Sequence, residues 1–65
     1  MEEITEYERA VADVYDAKHE FQIAQSHFNN ANDEFFDIAN SQLTLAINKL
    51  NLAVQRARQL YIMNS

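Results

Sequence analysis

The chain has 65 residues, net charge −5, 48% hydrophobic residues, and no cysteine, glycine or proline. Disulfides and thiolate metal sites are excluded, and a chain this short buries only about 60% of its unfolded surface, so it needs another staple, of which oligomerisation is the one left. A β-fold of this length would need several turns and the residues that make them, so one all-α domain spanning 1–65 is expected.

Charge is unevenly distributed. Residues 1–37 hold all ten acids and two bases, Arg9 and Lys18, whereas residues 38–65 hold no acid and three bases, Lys49, Arg56 and Arg58. A nucleic-acid binder needs a basic footprint, and adsorption to anionic membranes needs a polybasic one; neither is present. The acidic opening Met1-Glu2-Glu3-Ile4-Thr5-Glu6 does not read as a signal peptide, and no apolar run reaches the ~18 residues of a membrane span. A cytoplasmic location is expected.

The first predicted helix covers about residues 3–28. Ile4, Tyr7, Val11, Val14, Lys18, Phe21, Gln25 and Phe28 follow a strict 3-4 spacing, six of them apolar, as a core-facing stripe requires. Ala10, Ala17, Ala24 and Ala31 recur every seven residues beside it, a small-residue flank that another helix can approach closely. Thr5 and Glu8 have the spacing of a capping box.

The turn is predicted at about residues 29–32, where Asn29-Asn30-Ala31-Asn32 is the one cluster of turn-favouring residues. Asparagine tolerates left-handed positions and caps helices. Asn32 before Asp33 and Glu34 reads as an N-cap with acids in the first turn. A phase break between Phe28 and Phe36 supports a turn; the rival is one continuous helix with a stutter.

The second helix is predicted over about 33–62, with its own series Phe36, Ala39, Leu43, Ala46, Leu50, Ala53, Ala57 and Leu60, widened by Ile47, Val54 and Tyr61. Folding the chain about Asn32 pairs Phe28 with Phe36, Phe21 with Leu43, Val14 with Leu50, Tyr7 with Ala57 and Ile4 with Leu60. With Gln25/Ala39, Lys18/Ala46 and Val11/Ala53 as the remaining layers, large residues tend to face small ones, as interdigitated layers require. The expected hairpin core is Ile4, Tyr7, Val11, Val14, Phe21, Phe28, Phe36, Leu43, Leu50 and Leu60. The basic second helix falls beside the acidic first.

A further stripe, Phe35, Ile38, Leu45 and Leu52, lies about 100° or more around the second helix and is the candidate oligomer interface. Two hairpins closing into a four-helix bundle dimer is the simplest solution. That architecture resembles the small plasmid-copy-control RNA-binding dimers, without their basic face.

Little here carries chemistry. Asp16-Ala17-Lys18-His19 has the carboxylate-x-x-His spacing of bundle metal sites, and His27 follows eight residues on. His19 and Glu20 fall on the polar face and the second helix offers no acid beyond Asp37, so solvated surface histidines account for the pattern. Lys18 and Gln25 fit register-fixing polar positions better than a pocket. Tyr7, Tyr15 and Tyr61 fit core or rim positions better than a stacking site. No catalytic, cofactor or metal residue is assigned, and no cofactor is expected.

Residues from about Ala17 to Gln59 resemble the YaaL-like family of short helical proteins from Gram-positive bacteria, through Phe28, Asp33-Glu34, Phe36-Asp37-Ile38-Ala39, Leu43, Ala46 and Ala57-Arg58. The acidic start and Asn40-Ser41-Gln42 depart from that pattern; the resemblance implies a cytoplasmic hairpin and no functional residue. Ile38-Ala39-Asn40-Ser41-Gln42-Leu43-Thr44 is similar to the Ser-Gln-Glu-Leu-Asp signature of small sporulation phosphatases, but Thr44 stands where their aspartate is required. The sequence therefore reads as a non-enzymatic homodimeric interaction module. The alternative is an acidic decoy or inhibitor of a basic, nucleic-acid-binding protein; a phosphatase is more remote.

Overall fold

The computed structural model describes residues 5–63; Ile4, assigned to the core from sequence, lies outside them. Two helices, α1 (Glu6–Asn30) and α2 (Phe36–Met63), pack side by side in an all-helical hairpin.

Thr5 starts α1. Its extended backbone (φ −67°, ψ 161°) places Oγ1 to accept from the Glu8 N–H at 3.1 Å, and the hydroxyl donates to Glu8 Oε1 at 3.2 Å. One orphan donor of the first turn is thus satisfied, and the glutamate that a capping box turns back to the backbone here binds the capping hydroxyl.

The helix continues through Asn30, two residues past the expected boundary. No described residue has positive φ, so the turn does not use the left-handed conformation for which asparagine was expected. Ala31 instead ends α1 in an extended conformation (φ −72°, ψ 135°), its N–H donating to the Phe28 carbonyl at 3.3 Å. Asn30 Nδ2 reaches back to donate to the Ser26 carbonyl at 2.9 Å, holding its side chain against the last turn of α1. The chain then makes a tight turn, with Phe35 N–H on the Asn32 carbonyl at 3.0 Å, and α2 follows as Ala39 N–H bonds the Phe35 carbonyl. Asp33 and Glu34 therefore belong to the turn rather than to the helix, and the connection sits later than the asparagine cluster alone indicates.

The seam is made of alanine. Ala10, Ala17 and Ala24 from α1 and Ala39 and Ala46 from α2 are the buried hydrophobic residues, with Ala17 only 1% exposed. On α1 this shifts the seam by one position from the expected stripe. The heptad Tyr7, Val14, Phe21, Phe28 is shared by both readings, but its partner is the alanine heptad and not Val11, Lys18 and Gln25. Lys18 and Gln25 are exposed. Small side chains let two backbones come close, and interaxial distance follows contact side chains, so the smallest available stripe takes the contact. On α2 Ala39 and Ala46 are buried and Leu43, Leu50, Ala53, Ala57 and Leu60 are half-buried, while Phe36, the first residue of the predicted series, is exposed.

Candidate functional site: the two faces of the hairpin

Because only alanines are buried among the described residues, the larger apolar side chains flank the seam. Tyr7, Val11, Val14, Phe21, Phe28, Leu43, Leu50 and Leu60 are half-buried, and Phe36 is 47% exposed although its ring lies 5.2 Å from that of Phe28. That ring pair is the layer expected nearest the turn. At the far end Tyr7 meets Tyr61, centroids 5.9 Å apart, one helical turn beyond the expected Ala57. Both distances suit tilted aromatic pairs.

One face is a broad groove. Its outer section, about 700 Å³, is lined by Tyr7, Val11, Val14, Val54, Ala57 and Tyr61 among others. A neighbouring section of about 730 Å³ continues it through Val14, Phe21, Leu50 and Val54. Lys18 and Arg58 border both sections, no acid lines either, and neither cation has a hydrogen bond or ion pair among the described residues. This face gathers Val54 and Tyr61, two of the residues that widened the second series in sequence.

The opposite face is polar on α1 and mixed on α2. Asp13, Asp16 and Glu20 line one wall of a shallow groove, with Lys49, Leu52 and Arg56 on the other. Lys49 Nζ sits 2.7 Å from Glu20 Oε2 and 3.0 Å from Oε1. That hydrogen bond, with the charges of Glu20, Asp16 and Asp13, raises the Lys49 pKa above its ordinary 10.5. Both partners are at least half exposed, so the pair matters more for register than for stability. Leu45 also lines this side, beside Ile23 and His27. The interface stripe read from sequence thus lies away from the broad groove, with Leu45 69% and Leu52 65% exposed and Phe35 and Ile38 exposed too.

Positions singled out for chemistry remain dispersed. His19 and His27 are exposed, and no group of three or more His, Cys, Asp or Glu among the described residues is placed to hold a metal ion. Thr44, at the position of the phosphatase aspartate, donates its hydroxyl to the Asn40 carbonyl at 3.0 Å. No described helix is long and apolar enough to cross a membrane. The fold defines a class: a two-helix antiparallel hairpin with an alanine seam and two unequal flanking faces. Comparison of the chain with protein families, curated proteins and solved structures finds no match.

Proposed function

We propose that the protein is a non-enzymatic interaction module that works as a homodimer, two hairpins stacked into a four-helix bundle. The observation that carries this is surface area. The chain exposes 5564 Å², whereas a monomeric globular protein of 7.6 kDa exposes about 4,300 Å² by mass scaling. The excess is about 1,300 Å² per chain. Covering it on two chains removes about 2,600 Å², within the range of obligate homodimers. The absence of any large buried side chain among the described residues points the same way, since alanine burial alone contributes little hydrophobic free energy.

The decoy reading draws less support. The acids Asp13, Asp16 and Glu20 line a groove that Lys49 and Arg56 also line, so the chain's own cations offset that row. Sedimentation equilibrium at micromolar concentration tests the proposal. The dimer gives twice the 7.6 kDa chain mass; a single-chain mass across the concentration range overturns it.

A further inference from the structure

The two helices carry opposite charge, and this has a consequence for how two copies can stack. Within α1 there are five acids (Glu6, Glu8, Asp13, Asp16, Glu20) and two bases (Arg9, Lys18), a net −3. Within α2 there are three bases (Lys49, Arg56, Arg58) and one acid (Asp37), a net +2. We infer that the second copy seats on the broad groove with its turn at the same end, so that α1 of each chain lies on α2 of the other. This rests on the homodimer reading above and adds its face and its topology.

Two closed arrangements join identical faces. A two-fold axis along the length of the hairpin puts both turns together and stacks α1 on the partner's α2. An axis across its width puts the turns at opposite ends and stacks α1 on α1 and α2 on α2. The lengthwise axis makes every helix neighbour one of opposite charge, both within its hairpin and across the interface. The crosswise axis stacks each helix on one of the same net charge. It also brings Lys18, which lies midway along Glu6–Asn30, against its own copy. Like charges opposed across an interface select against a topology more strongly than surface pairs stabilise one.

The lengthwise stack supplies what the groove lacks. The rotation preserves height along the hairpin, so Glu8 comes level with the partner's Arg58. Glu8 lies one heptad before Tyr15, which borders the groove on the α1 side as Arg58 does on the α2 side. The rotation brings these two rims together, so the unpaired guanidinium meets a carboxylate. Lys18 then lies over apolar α2 surface, where its stem can pack and its ammonium can reach water.

The broad groove is preferred over the Leu45–Leu52 side because its apolar lining comes from both helices. Tyr7, Val14 and Phe21 face it from α1, and Leu50, Val54 and Tyr61 from α2. The other side offers α1 acids beside α2 leucines, and docking two copies there would bury those carboxylates.

The test uses the full chain, which has no native cysteine. Asp33→Cys in the exposed turn, spin-labelled, reports the inter-label distance by pulsed electron resonance. The proposal predicts a distance of about 30 Å or less, set by the spacing of packed helices plus the label arms. A distance near the 48 Å length of the hairpin overturns the topology while leaving the dimer standing. No dipolar coupling together with a single-chain mass overturns the dimer itself. The face is tested by Val54→Glu, expected to weaken association about tenfold or more, against Leu45→Glu, expected to leave it within about twofold. The reverse ranking overturns the assignment of the face.

Discussion

Replacing Ala17 by leucine tests the seam where it is tightest. Ala17 is 1% exposed, Ala10 and Ala24 one heptad to either side are 2% and 8% exposed, and Ala53 of α2 lines the same groove. Leucine adds three carbons at the most buried described position of the seam. If there were space for them, burying them would stabilise by about 0.8 kcal/mol each, or about 2.4 kcal/mol together. With no space, the helices must separate or the side chain must leave its rotamer, at about 1–3 kcal/mol. Separation also loosens the contacts at Ala10 and Ala24, so the net sign is destabilising. On a stability of 5–15 kcal/mol, typical of small domains, the change is easily measured. Urea unfolding followed by far-ultraviolet circular dichroism, at one fixed protein concentration, reads it. Ala12→Leu, at an exposed position, is the control and should stay within about 0.5 kcal/mol of the parent. A seam running instead through Val11, Lys18 and Gln25 would leave Ala17 on its flank, where leucine adds apolar cover. A neutral or stabilising Ala17→Leu would refute the alanine seam.

Other substitutions report on particular contacts. Thr5→Ala removes the cap of α1 and should cost about 0.5–2 kcal/mol in the same assay, with Thr5→Ser retaining most of it. Asn32→Gly should destabilise by about 0.4–1 kcal/mol, because no described residue of the turn needs positive φ and glycine only adds freedom to the unfolded chain; stabilisation would mean a left-handed turn. Glu20→Gln should lower the urea midpoint in low salt and leave it unchanged in 1 M salt, as screening of an exposed pair requires. The same pair fixes a sign with pH. Lys49 titrates higher in the folded chain than its ordinary 10.5, so its contribution is whole below that value and fades as pH rises through the folded one. A titration of the midpoint from pH 9 upward should fall more steeply for the parent than for Lys49→Met.

Much of the architecture was legible in the chain. The absence of glycine and proline, the two 3-4 series and the phase break between Phe28 and Phe36 contain the hairpin, and Thr5 with Glu8 contains the cap. The face of α1 was harder because two stripes compete there. Hydrophobic patterning weights large residues, so Val11 counts for more than Ala10, while close helix approach rewards the small ones. The signal that separates them was present: Lys18 and Gln25 interrupt one heptad, and alanine runs unbroken through the other. The turn was misplaced for a related reason. Asparagine composition marks where a chain can turn, but Asn30 spends its side chain on extending α1 by binding the Ser26 carbonyl. The broad groove needed the backbone, because it is formed by residues from both helices and neither stripe alone displays it.

The central claim is that a hairpin with an alanine seam does not stand alone. Dilution from tens of micromolar to tens of nanomolar, with the far-ultraviolet dichroism and thermal midpoint recorded at each step, tests it directly. Coupled pairing and folding predicts that the midpoint falls with every dilution and that helical signal is lost as the dimer dissociates. A midpoint and helicity that stay constant over the whole range would contradict it.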